Sequence, residues 1–218
     1  MLKLKFILFL LLATSLNSFA QKLTENEKMV FDEIVYKRRN VGEYEKLSKW
    51  VVPVKYKIYG DTLSYLVKEI DTTFAELKKL TKLDISKTNI DDEANFIIVL
   101  GKDEKEYARL SSSMSRYFGK AGGFSYRTNS KNELYHSENI LVPEKFRSRQ
   151  EARHAIKRSI VKAFGFLKAS ETTPNSIFYS QANNKVTLDL FDSHIISALY
   201  NPAIKPGMTK DEVDKINP

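Results

Sequence analysis

Five consecutive apolar residues, Phe96-Ile97-Ile98-Val99-Leu100, constrain the fold most, because a short unbroken run of this kind reads as a strand at the centre of a sheet. Upstream, Trp50, Val52, Val54, Tyr56 and Ile58 alternate with Val51, Pro53, Lys55 and Lys57 and stop at Gly60-Asp61, which predicts another strand. From Thr62 the spacing becomes helical. Leu63, Leu66, Ile70, Phe74, Leu77 and Leu80 form one stripe. Leu83 to Ser86 reads as a further strand, so the order is β-α-β-β. A short helix is expected from Asp103, then an exposed loop from Ser111 to Gly123, and strands at Phe124 to Thr128 and Leu134 to Val142. A long helix from about Ser148 to Leu167 follows. After a loop containing Ser176-Ile177-Phe178-Tyr179, a helix from about Leu188 to Tyr200 ends at Asn201-Pro202. Thr209 and Glu212 have capping-box spacing, which predicts a last helical turn. Ahead of the sheet, Thr24 is an N-cap for a lead helix over 24–39, with Met29, Val30, Phe31, Ile34 and Val35 on its apolar face.

The first 20 residues read differently. Lys3 and Lys5 precede an apolar run, Phe6 to Leu12, too short to span a bilayer, and Ser18 and Ala20 stand where a signal peptidase cuts. The expectation is a signal peptide over 1–20, export to the periplasm or beyond the cell, and a single domain over 21–218 whose core spans about 48–218. No repeat or linker divides it. The chain has no cysteine, so lipid attachment at a thiol, disulfides and thiolate metal sites are excluded. The formal charge of +8 includes Lys3 and Lys5, which leaves the mature chain at +6. A modest basic balance is compatible with acidic envelope partners and with plain solubility, and export argues against nucleic acid.

In the helix from 148 to 167, Ala152, Ile156, Ile160, Ala163, Phe164 and Leu167 share one arc, and His154, Arg158 and Lys162 lie roughly opposite. Periodicity alone reads the second arc as solvated. The surrounding sequence resembles the metzincin zinc peptidases, especially matrixin-like members, whose pattern is H-E-x-x-H-x-x-G-x-x-H followed by a Met-turn S-I-M-Y and a helix ending in L-Y. The parallel residues are Arg158 to Lys168, then Ser176-Ile177-Phe178-Tyr179, then Ala198-Leu199-Tyr200. The chain is also similar to a bacterial family of exported proteins of unknown function that carries a degenerate form of this motif and a C-terminal L-Y-x-P-x-x-x-P-G-M-T. Here that pattern is Leu199-Tyr200-Asn201-Pro202 and Pro206-Gly207-Met208-Thr209, and the likeness extends upstream to the Trp50 and Phe96 strands.

The resemblance implies an α+β, zincin-like fold: a mixed, mostly parallel sheet against two long helices, with a C-terminal helical subdomain. It places Arg158, Lys162 and Lys168 at the former metal-ligand positions, Ser159 at the general-base position, Gly165 at the turn and Phe178 at the Met-turn methionine. Guanidinium and ammonium groups are donors only, so these positions cannot ligate zinc, and serine cannot replace glutamate as the base. No cofactor is expected. His136, His154 and His194 have no metal-motif spacing. Ser159-Ile160-Val161-Lys162 also spells S-x-x-K, but Ser159 falls in mid-helix, and Ser137-Glu138-Asn139 and Lys120-Ala121-Gly122 both precede it, which is the wrong order for a penicillin-recognising enzyme.

The expected function is therefore that of a catalytically inactive, peptidase-like binding module. Its three cations either converge on an acidic envelope ligand or protein, or splay into solvent. The alternatives are an active hydrolase with a relocated metal site or another nucleophile, and a purely structural envelope protein.

Overall fold

In the computed structural model the described residues are 22–36, 38–40, 43–44, 46–60, 62–101, 117, 119–181 and 183–216. The signal segment 1–20, the short helix expected from Asp103 and most of the loop expected from Ser111 lie outside them. The chain has a mixed α/β fold. Its strands are β1 (Arg38–Asn40), β2 (Glu43–Tyr44), β3 (Lys49–Trp50), β4 (Val54–Gly60), β5 (Ile85–Lys87), β6 (Phe96–Leu100), β7 (Gly122–Thr128) and β8 (Glu133–Leu141). Its helices are α1 (Glu25–Val35), α2 (Ser64–Thr81), α3 (Arg149–Lys162), α4 (Leu190–Leu199) and α5 (Lys210–Ile216).

The apolar run is β6, paired in parallel with β4 on one side and β8 on the other, where a strand buried on both faces belongs. Strand β5 extends the sheet beyond β4, and the short β3 lies beside the start of β8. Strand β7 is the antiparallel member and lies along the opposite side of β8 from β6. Helices α2 and α3 pack against each other, and ring contacts join them to the sheet: Phe74 meets Phe96 edge-on at 5.1 Å, and Phe164 lies 5.8 Å from Phe96. Trp50 completes the cluster. Its indole N–H donates to the Ala163 carbonyl at 3.0 Å, and the Tyr200 hydroxyl donates to the Phe164 carbonyl at 2.9 Å. Strand β3, the end of α3 and the end of α4 are thereby fixed to one another.

Several boundaries differ from the sequence expectation. The lead helix stops at Val35 rather than reaching 39, because Tyr36 leaves it in an extended conformation, with its ring buried against Phe31, and residues 38–40 pair as a hairpin strand with β2. The strand expected from Trp50 to Ile58 is two strands. Pro53 has no N–H for the ladder, and the residues before it, Val51 and Val52, are exposed. Helix α3 ends at Lys162 instead of Leu167. Gly165 follows at φ +113°, and a Cβ there would stand 2.3 Å from the Ser48 carbonyl oxygen, so the turn admits no side chain. The C-terminal helices form no separate subdomain: Ile195, Ile196, Leu199 and Val213 belong to the same core as Trp50 and Phe96. The capping box at Thr209 and Glu212 forms as read; Thr24 caps the lead helix as read, and Glu27 completes a second capping box there.

Candidate functional site

The basic arc of α3 is only partly exposed: His154 is buried, and Arg158 and Lys162 are intermediate. It forms one wall of a cleft of about 300 Å³, with His154, Ala155, Arg158, Ser159 and Lys162 on the helix. Gly122, Gly123 and Phe124 of β7 and the end of β8 oppose it, and Phe146 and Glu151 lie with them around the space. Arg158 and Lys162 are half-buried and one turn apart on the helix.

Each of these side chains has a defined setting. Arg158 Nη2 donates to the Ser180 carbonyl at 3.3 Å, and its Nε is buried without a partner. The Lys162 ammonium lies 5.5 Å from the Phe124 ring centroid, within cation–π range. Burial, reinforced by the charge of Arg158, pulls Lys162 down to about 8. Among the described residues neither cation has an acidic partner. Glu151, the carboxylate of the cleft, accepts instead from the Arg147 backbone N–H at 2.8 Å and from its guanidinium.

His154 is only 3% exposed. Its Nδ1 lies 2.7 Å from the Lys185 carbonyl oxygen, an acceptor that places the proton on Nδ1. Burial lowers its pKa, so the ring is neutral near pH 7 and Nε2 carries a lone pair, yet Nε2 is buried without a partner. The Lys185 ammonium is itself paired with Asp189 and with the buried Asp192, both at 2.7 Å. Asp192 in turn accepts from Ser176 Oγ at 2.6 Å and from the Ile177 N–H. The turn that carries Phe178 is thus tied to the histidine through α4. Phe178 is fully buried against Phe166, with ring centroids 4.9 Å apart.

Ser159 Oγ donates to Asn139 Oδ1 at 2.7 Å, and Asn139 Nδ2 continues to Ser137 Oγ at 3.2 Å. The structure therefore brings Arg158, Ser159 and Lys162 together at the cleft and adds His154. Lys168 is not among the lining residues; its backbone N–H donates to Ile34 of α1. His136 and His194 lie elsewhere, beside Glu138 and Glu27.

Among the described residues no three histidine, aspartate or glutamate side chains are grouped to hold a metal ion. The donor chemistry of Arg158 and Lys162 does not fit zinc either, since both offer only N–H groups. Sequence reasoning missed Asn139, Gly122, Gly123 and the Ser180 carbonyl. Asn139 carried a signal: it is a polar residue directly before the apolar Ile140-Leu141-Val142. The others act through backbone or through small size and leave no mark in periodicity.

A family model described as protein of unknown function (DUF2927) matches residues 26–218. Among curated proteins, none matches the chain.

Proposed function

The chain belongs to the DUF2927 family, and from its cleft we propose an exported, catalytically inactive binding module on a zincin-like scaffold that holds an anionic group between Arg158 and Lys162. The observation that carries this reading is a pair of half-buried cations, one turn apart in a concave site, with no acidic partner among the described residues. Two like charges in such a setting repel each other, and a carboxylate or phosphate relieves the repulsion while using the guanidinium fork. The zincin likeness rests on the parallel residues from Arg158 to Lys168, on the turn at Gly165 and on the buried Phe178 turn beside the helix. Export rests on the N-terminal pattern, and the envelope is then where the acidic ligand would be met.

Hydrolysis by Ser159 with Lys162 as base is the weaker reading, because the Ser159 hydroxyl hydrogen is already donated to Asn139. The test is calorimetric titration of residues 21–218 with propionate and with inorganic phosphate at low and high salt. At least one anion should bind in a salt-sensitive way, Arg158→Ala/Lys162→Ala should abolish binding, and Lys168→Ala should leave it unchanged. Unchanged binding in the double variant would sink the proposal.

A further inference from the structure

Two buried atoms with complementary needs belong to residues that line this cleft. Arg158 Nε–H is a donor without an acceptor, and His154 Nε2, with the ring proton held on Nδ1 by the Lys185 carbonyl, is an acceptor without a donor. They belong to residues one turn apart on the same face of α3. A buried polar atom left unpaired is costly, and among the described residues only one further side-chain atom, Thr173 Oγ1, shares that condition. A single group that both accepts and donates satisfies the pair, and a hydroxyl is such a group.

We infer that the cleft takes a small hydroxy carboxylic acid, its carboxylate held by Arg158 and Lys162 and its hydroxyl bridging Arg158 Nε–H and His154 Nε2. This rests on the anion-binding reading above and adds the second recognition element. The guanidinium edge carries Nε–H and an Nη N–H side by side, so a hydroxyl on the carbon next to the carboxylate meets one while the carboxylate meets the other. Neither orphaned atom touches solvent, so the proposal requires the Arg158 head, held among the described residues by one 3.3 Å bond to the Ser180 carbonyl, to turn toward the ligand. Phe124, Phe146, Ile140 and Leu141 supply apolar lining, and a volume of about 300 Å³ suits a body the size of one side chain.

The experiment compares matched acids with and without the hydroxyl, lactate against propionate and 3-phenyllactate against 3-phenylpropionate, by calorimetry on residues 21–218. At least one hydroxy acid should bind about tenfold more tightly than its match, because a site built for a hydroxyl rejects the analogue that lacks it. His154→Leu should erase that preference while the deoxy acid keeps its affinity. Arg158→Lys, which removes Nε–H and keeps the charge, should lower the affinity of both members of each pair and erase the ratio between them, and it serves if the leucine variant does not fold. Equal affinities within both pairs would mean that the orphaned atoms take no part in recognition, and would overturn this inference while leaving the anion site intact. No binding of any of the four acids at millimolar concentration would overturn this inference, and if inorganic phosphate also failed to bind, the anion-binding reading would fall with it.

Discussion

Ser159 Oγ on α3 donates a 2.7 Å hydrogen bond to Oδ1 of Asn139, a fully buried residue of β8, and so ties the helix to the sheet beside the cleft. Asn139 Nδ2 donates in turn to Ser137 Oγ at 3.2 Å, and among the described residues Ser159 Oγ is the donor to Oδ1. The bond gives the serine a structural task.

Ser159→Ala should therefore destabilise the protein by about 1–3 kcal/mol, the cost of stranding a buried acceptor. Urea denaturation measures it. A serine-reactive phosphonate should leave wild-type protein unlabelled, and labelling at Ser159 would revive the hydrolase reading.

Helix α3 has a second polar face, turned away from the cleft. Lys157 is fully buried and reaches Glu76 at 2.5 Å and Glu69 at 3.5 Å, while Arg153 pairs with Glu69 at 2.7 Å. This network joins α3 to α2. Lys157→Ala removes the buried ammonium and its bond to Glu76, while Glu69 keeps Arg153 as a partner, so it should cost about 1.5–3 kcal/mol. Anion affinity of the folded variant should not change, since Lys157 does not line the cleft. A stability loss below about 1 kcal/mol would mean that Lys157 reaches solvent.

Gly165 gives a third test. Its φ of +113° and the 2.3 Å approach of the Ser48 carbonyl to an added Cβ oppose any side chain, so Gly165→Ala should cost about 2–4 kcal/mol. Thermal unfolding would show it, and a neutral result would contradict the turn geometry.

The extent to which all this was legible follows from the kind of signal each residue leaves. Phe96–Leu100 and the stripe Leu66, Ile70, Phe74, Leu77 announced their elements because burial acts on side chains at a fixed period. Pro53 broke the expected strand and Tyr36 ended the lead helix, both through backbone geometry that an alternation pattern does not register. At the site, Arg158 and Lys162 were legible as a pair through their spacing. Their half-buried setting was not, because it depends on β7 folding back beside β8 from 20 or more positions upstream of the helix. His154 read as an isolated histidine for the same reason: its partner is the backbone of Lys185, far along the chain.

Lys162 should make stability and binding move in opposite directions with pH. Its folded pKa, pulled down to about 8 by burial and Arg158, lies below that of an unfolded lysine near 10.4, so between these values the unfolded chain holds the extra proton. Stability from this group therefore rises as pH climbs through that window, and buried Lys49, also lowered to about 8, adds to it. Tyr36, Tyr56 and Tyr200 are raised by burial, so their ionisation favours the unfolded chain above about pH 10 and closes the window. Anion binding needs the charged ammonium and should weaken over the same rise through pH 8. Lys162→Met should be more stable than wild type at pH 7, on the order of 1 kcal/mol, with weakened anion binding and a flatter stability profile. Urea titrations and calorimetry at pH 7, 8 and 9 decide it: parallel changes in stability and affinity would show that Lys162 stays charged through pH 9 and carries no such linkage.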